Sequence, residues 1–259
     1  HNNKDTMIYK EIERTILMPT KYYFDNAATT PVREEVLQEI LPYFREYYGN
    51  ASSIYSIAKE SKKALEAARA KVAAAIGATP DEIYFTAGGS ESDNMALRGV
   101  VNASKKEKKH IITTKIEHHA ILHTAEFLET KGVDVTYLNV DEFGKISLEE
   151  LENAIRPETV LISVMFANNE IGTIQPIAEI AEIAKKHGVL FHTDAVQAVG
   201  HVPIDVEKLH VDLLSMSGHK LGAPKGIGAI YIRKGTRISP LIFGGAQEKK
   251  LRAGTENIA

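Results

Sequence analysis

The sequence predicts an α/β domain with a mostly parallel central sheet of about seven strands and helices on both faces. After residue 80, short runs rich in β-branched and apolar residues alternate with helical stretches. Most of those stretches are ten or more residues long, which suits the crossovers between parallel strands. With 259 residues, 44% of them hydrophobic, the chain can also bury a substantial core.

Strands and helices follow one another in a regular order along the chain. The strands are predicted at 82–87, 110–115, 133–140, 159–166, 188–194, 211–217 and 227–233. The helices are predicted near 33–47, 57–76, 91–103, 118–131, 147–155 and 177–187. The helix at 57–76 consists mainly of strong helix formers and is followed by Gly77, a residue suited to a helix C-cap.

The charge and composition argue against several classes of protein. A net charge of −3 gives no reason to expect nucleic acid or an anionic membrane as a partner, and the basic run at 105–110 is typical of a solvated loop. No stretch approaches the roughly 18 apolar residues that a membrane-spanning helix needs. The sequence has no cysteine, which excludes disulfides and thiolate metal sites. We expect no metal centre and a cytoplasmic protein.

Ligands of open parallel sheets bind beyond the carboxyl ends of the strands, so the residues after each strand are the candidates for function. The first strand is followed by "TAGGSES" (86–92), which opens a helix. Such a stretch can close its backbone N–H groups on a phosphate. It lacks the ending of a Walker A loop. A glycine-rich turn with Ser90 as a helix N-cap is an equally reasonable interpretation.

Other strand ends carry histidines and asparagines. His118 and His119 follow the second strand, but adjacent histidines on a helix point in different directions and make a poor metal pair. The segment "ANNEIGTIQP" (167–176) follows the fourth strand. Its asparagines could form a turn or orient a polar ligand.

An aspartate and a lysine are predicted to meet at the same edge of the sheet. Asp194 ends a strand buried on both faces, where an unpaired carboxylate is costly, so it needs a cationic partner. Lys220 follows the next strand in the stretch "SGHK", and Gln197 lies one turn beyond Asp194. Pyridoxal phosphate uses such a lysine for a Schiff base and such a carboxylate at its pyridine nitrogen. We favour this cofactor over a nucleotide because the pairing is otherwise unexplained.

With these residues in view, the sequence resembles the cysteine desulfurases, within the class V branch of fold-type I pyridoxal-phosphate enzymes. The resemblance runs in family order from about residue 21 to residue 257. It is carried by "YFDNAATTP" (23–31), "YGNASS" (48–53), "FTAGGSESDN" (85–94), "IEHHA" (116–120), "ANNEIGTIQP" (167–176), "HTDAVQAVG" (192–200), "SGHKLGAPKGIGAIYIRKG" (217–235) and "GGAQEKKLRAGTEN" (244–257).

The resemblance implies a role for individual residues around the cofactor ring. Lys220 would form the Schiff base, and Asp194 would pair with the pyridine nitrogen. Gln197 would hydrogen-bond the ring hydroxyl, which Asn169 would orient together with the substrate. His118 would stack on the ring and help to move protons. Lys220 and His118 are therefore the expected catalytic residues.

The resemblance also implies a phosphate site and a dimer. The expected phosphate-binding residues are Gly89, Ser90, Ser217, His219 and, from the other subunit of a homodimer, Thr255. The family usually has Ala-Thr where this chain has Gly89-Ser90, so the hydroxyl is retained. Ala223 stands where a glycine is common, and Tyr55 where a histidine is frequent.

By the same resemblance, residues 1–20 are an N-terminal extension or leader, and 21–259 are the cofactor-binding large domain. A C-terminal small domain with the cysteine nucleophile and a substrate-binding arginine would be absent. The implied reaction takes sulfur from L-cysteine, leaves alanine, and passes a persulfide to an acceptor or scaffold protein for iron–sulfur cluster or thio-cofactor synthesis. A selenocysteine lyase, an aminotransferase of the same class, or a non-catalytic cofactor-binding module are the alternatives.

Overall fold

The computed structural model describes residues 22–259. The extension predicted at 1–20 lies outside the described residues. The strands are β1 Ile83–Thr86, β2 His110–Thr114, β3 Asp134–Leu138, β4 Thr159–Ser163, β5 Leu190–Asp194, β6 Leu213–Ser217 and β7 Gly228–Ile232. The helices are α1 Glu34–Arg45, α2 Ser56–Ala75, α3 Gly89–Ala103, α4 His119–Glu129, α5 Leu148–Ala154, α6 Ile177–Lys186 and α7 Val206–Leu209. All the predicted strands and helices are confirmed, and α7 is an addition.

The strands form one mixed sheet in the order β1-β7-β6-β5-β4-β2-β3. The pairs from β3 to β6 are parallel, whereas β7 is antiparallel to both β6 and β1. The reversal at β7 follows from its connection. Residues 218–227 contain only a short 3-10 turn at Gly218–Lys220 and no crossover helix, so the chain returns antiparallel. A mostly parallel sheet is thereby confirmed.

Helices cover both faces of the sheet, and alternate strand residues point into two cores. On one face, Ile162, Phe191 and Leu214 pack with α6 and the end of α2. On the other face, Leu161 and Leu213 pack with α3 and α4. In the part of the chain that is described, no helix has the length and apolar character needed to cross a membrane.

The segment 244–257 is tied to the body of the domain by ion pairs, of which those of Glu248 and Arg252 are the less exposed. Glu248 forms a two-pronged pair with Arg69 of α2 at 2.8 and 2.9 Å, and its carboxylate also accepts from the Phe85 N–H. Arg252 binds Glu91, in the first turn of α3, at 2.8 Å. The C-terminal part of the chain is therefore anchored beside the loop that opens α3.

Candidate active site

An open cavity of about 280 Å³ lies at the carboxyl ends of the central strands. It gathers residues from β5, β6, the start of α3, the loops after β2 and β4, and the N-terminal segment. The predicted site residues that line it are Gly89, Ser90, His118, Asn169, Asp194, Gln197, Ser217, His219 and Lys220. The strand-end rule thus located the cavity from the sequence.

Asp194 is a buried acid of the cavity, at the end of β5. It is 5% exposed, and one carboxylate oxygen accepts from the Val196 N–H at 2.9 Å. Burial raises the pKa of Asp194, while the Val196 N–H, His118 and Lys220 oppose that rise by favouring the charged form. Lys220 is therefore close enough to favour the charged form of Asp194, and it is the cationic partner that the buried position of Asp194 demanded.

Lys220 lies in the 3-10 turn after β6 and lines the cavity beside the N-terminal segment. Its Nζ donates to the Ala27 carbonyl and, at 2.8 Å, to the Ala28 carbonyl. Burial lowers the pKa of Lys220, and Asp25 and Asp194 partly oppose this. A lowered pKa increases the fraction of neutral amine, which is the form that attacks a carbonyl.

The opening of α3 lies at one end of the cavity. The helix begins at Gly89 with Gly88 as N-cap and no capping side chain, so the interpretation of Ser90 as the N-cap is wrong. The first-turn N–H groups and the helix dipole then favour an anion at this end. A Cβ on Gly89 would lie 2.7 Å from Val196 Cγ2, so a larger residue here would force the Val196 side chain to shift.

Ser217 and His219 complete that end from β6 and the turn after it. The Nδ1 of His219 is 3.0 Å from the Thr29 hydroxyl. Burial, followed by the charges of Lys220 and Lys225, lowers the pKa of His219. These side chains add hydrogen-bonding groups to the backbone site at α3.

The remaining predicted side chains surround the middle of the cavity. His118 caps α4 by accepting from the Ala120 N–H at its Nδ1, so its Nε2 is left for a ligand. Asn168 is buried and holds the turn through Glu170 and Ile171, whereas its neighbour Asn169 lines the cavity. Asn168 therefore forms the turn, and the ligand-orienting role considered for Asn169 stays a prediction.

The wall formed by residues 25–30 was not assigned from the sequence. Gln197 donates to the Ala27 carbonyl at 2.9 Å, and Thr30 binds the His219 carbonyl through both its N–H and its hydroxyl. These contacts join residues about 170 to 190 positions apart. The match of "YFDNAATTP" (23–31) to family members was the available signal for this wall.

Two buried acids near the cavity were also missed. Asp93 of α3 lines the cavity, and Glu117 lies just before His118. Glu117 accepts from the Thr114 hydroxyl at 2.8 Å and from the Met165 N–H at 2.9 Å. An acidic residue inside a helix ordinarily faces solvent, so the sequence alone gave little reason to bury Asp93.

Thr255 does not line this cavity. It is exposed and borders a separate cavity of about 150 Å³ beside α2 and β1. Its expected contact with the phosphate of a second subunit stays a prediction, because only one chain is described.

Comparison with known proteins agrees with this geometry. A family model described as "Aminotransferase class-V" matches residues 22–259. The chain is 63% identical over 236 residues to a protein named "Cysteine desulfurase IscS" from Methanosarcina thermophila, and the match covers 91% of this chain and 58% of the relative. A "Putative cysteine desulfurase IscS 1" from Bacillus subtilis is 55% identical, with 92% of this chain and 63% of the relative covered.

Solved structures have the same fold. A "NIFS-LIKE PROTEIN" superposes with a TM-score of 0.90 at 48% identity, over 92% of this chain and 66% of that one. The structure titled "SspA in complex with cysteine" also gives 0.90, at 45% identity, over 92% and 69%. The chain spans about three fifths of the length of the curated relatives given above. The fold, the cavity and these matches together show that the chain belongs to the class-V aminotransferase family.

Proposed function

We propose that the chain is the cofactor-binding part of a cysteine desulfurase and holds pyridoxal phosphate in the cavity. The observation that carries the proposal is the convergence of Lys220 and Asp194 on one cavity whose far end is the N-terminus of α3. The family's use of this cofactor and the names of the relatives support the same conclusion. When bound, the cofactor supplies an electron sink for bonds at the substrate's α-carbon.

The residues of the cavity fit such a ligand. The α3 N-terminus with Ser90, Ser217 and His219 would bind the phosphate. Asp194 would hold a proton on the ring nitrogen, because its carboxylate is buried and oriented by the Val196 N–H. Lys220 would exchange its present carbonyl contacts for a covalent bond to the cofactor.

His118, Asn169 and Gln197 would act on the ring and the substrate. His118 faces the cavity with its Nε2 available, so it would stack on the ring and move a proton at that atom. The Asn169 and Gln197 amides would orient polar groups of the ring and of the substrate. Their neutral side chains do not disturb the charge balance between Lys220 and Asp194.

The substrate in this proposal is L-cysteine, which becomes alanine as its sulfur is transferred to a thiolate. The 259 residues contain no cysteine, so that thiolate would come from outside them. The sulfur would pass to an acceptor or scaffold protein for iron–sulfur or thio-cofactor synthesis in the cytoplasm. The protein would act as a homodimer in which Thr255 contacts the partner's phosphate.

Titration with pyridoxal phosphate tests the proposal. A near-visible absorption band should develop in the unchanged protein and be lost in the Lys220→Ala variant. The exposed Lys225, five positions away, provides the matched control, and Lys225→Ala should keep the band. A band of equal intensity in Lys220→Ala would show that the proposed attachment is wrong.

A further inference from the structure

Asp93 is a buried acid in the floor of the cavity that the proposed function leaves without a role. It lies in the second turn of α3 and is 1% exposed. Its Oδ1 has no hydrogen-bond partner among the described residues, although the side chain lines the cavity. An unpartnered, buried carboxylate is costly, so its protonation state matters.

The groups that face Asp93 from β5 do not neutralise it. His192 Nε2 lies 3.8 Å from Asp93 Oδ1. Both ring nitrogens of His192 are 2.9 Å from serine hydroxyls, those of Ser163 and Ser215. Burial lowers the pKa of His192 to about 3, so the ring is neutral at ordinary pH. The other facing group on β5 is Asp194, which carries the same sign of charge as Asp93.

The loop before α4 adds a third carboxyl group. Glu117 is buried, and its Oε2 has no hydrogen-bond partner among the described residues. Burial, then Asp194 and Glu117, raise the pKa of Asp93 well above its ordinary value, and only the nearby Ser215 hydroxyl opposes them.

The basic side chains of the cavity act on Asp194 instead. Lys220 and His118 both stabilise its charged form, and the Val196 N–H adds a hydrogen bond. His219 also lines the cavity, at the end where α3 opens. Of the neighbouring carboxyls Asp93 and Asp194, Asp194 therefore has the better reason to be charged.

We propose that Asp93 is a positioning residue that carries a proton beneath the cavity, so that Asp194 presents a single carboxylate charge to the bound ligand. The proposal rests on the proposed function only for the identity of that ligand. A protonated Asp93 is neutral and can donate its O–H, whereas two ionised carboxylates would repel each other in a buried site. One negative charge would then face one cationic ring nitrogen.

The first test uses the protein without cofactor. Asp93→Asn has nearly the same shape but does not titrate. An acid whose pKa is higher in the folded than in the unfolded protein destabilises the fold progressively as pH rises through that interval. The ratio of folding equilibrium constants, that of Asp93→Asn divided by that of wild type, should therefore rise with pH above the ordinary carboxyl pKa, by up to about tenfold per pH unit. Urea unfolding at each pH measures it, and a pH-independent ratio would overturn the proposal.

The second test uses pyridoxal phosphate binding and the absorption band of the bound cofactor. Asp93→Ala should weaken binding about tenfold and shift the pH at which the band changes, and Asp93→Asn should restore both properties. A loss in Asp93→Asn as large as in Asp93→Ala would contradict the proposal, since it would show that the charge is needed. If the wild-type protein binds no pyridoxal phosphate, the proposed function fails. Urea unfolding at several pH values still determines whether Asp93 is protonated in the fold.

Discussion

At the scale of single residues, burial determines which groups in the cavity are charged. Asp194 and Lys220 could be inferred from the sequence because each follows a strand that ends at the same edge of the sheet. Asp93 and Glu117 could not, since their burial depends on how α3 and the loop before α4 pack over β5. The sequence therefore predicts the location of residues at strand ends better than it predicts which residues become buried when helices pack on the sheet.

Replacing Asp194 tests directly its proposed pairing with the protonated ring nitrogen of the cofactor. Asp194→Ala should weaken pyridoxal phosphate binding by at least a hundredfold, because removing one member of a buried charge pair typically costs about 3–5 kcal/mol. The dissociation constant is measured by the same spectral titration. Asp212→Ala, which removes an acid of the neighbouring loop outside the cavity, is the control. Unchanged affinity in Asp194→Ala would contradict the assignment.

Glu117 should make stability depend on pH. Burial raises its pKa from 4.5 to about 8. The folded protein therefore favours the protonated acid, and this contribution is complete below about pH 4.5 and is lost as pH rises to about 8. Glu117→Gln should gain stability relative to wild type across that window, by up to about 1.4 kcal/mol per pH unit.

Urea unfolding at several pH values measures this difference. Glu107→Gln, at an exposed position, controls for the loss of a surface carboxylate. A difference between Glu117→Gln and wild type that stays constant from about pH 4.5 to pH 8 would show that Glu117 is ionised in the fold.

At the scale of elements, long-range contacts hold the cavity walls in place. The positions of the helices and strands were predictable because their apolar patterns are local. The contact of Thr30 with His219 and the pair Arg69–Glu248 were not, because they join segments far apart in the chain. β7 runs antiparallel to β6 because the connection between them is short. Its antiparallel pairing with β1 joins segments far apart in the chain and depends on the assembly of the whole sheet.

The pair Arg69–Glu248 should be the main anchor of the segment 244–257. Both side chains are almost fully buried, with exposures of 6% and 4%. Glu248→Ala leaves the Arg69 guanidinium unpaired, so the free energy of unfolding should fall by about 3–5 kcal/mol. Arg156→Ala, which removes the exposed pair with Asp134, should change it by about 1 kcal/mol or less. Equal effects in the two variants would show that the buried pair is not an anchor.

At the scale of the whole molecule, the fold brings most of the predicted site residues into one cavity. The absence of cysteine from the 259 residues limits the chemistry available there. The seven-stranded sheet places β5 and β6 side by side, which sets Asp194 opposite Lys220. Thr255 lies away from the cavity, and its proposed role needs a second copy of the chain.

The absence of cysteine leads to a prediction about turnover. L-cysteine should change the absorption spectrum of the cofactor-loaded protein, since Lys220 can exchange with the amino group of the substrate. Alanine should not accumulate beyond background, because no residue of these 259 can form a persulfide. Lys220→Ala is the control for the spectral change. Catalytic production of alanine by this chain would show that another group accepts the sulfur.

The most direct test of the central claim is to identify the lysine that binds the cofactor. The protein is loaded with pyridoxal phosphate, reduced with borohydride, digested and mapped by mass spectrometry. The account predicts that the label lies on Lys220 and that Lys225 is unlabelled. A label mainly on another lysine would contradict the account, because the Asp194 carboxylate would then face a lysine that does not hold the cofactor.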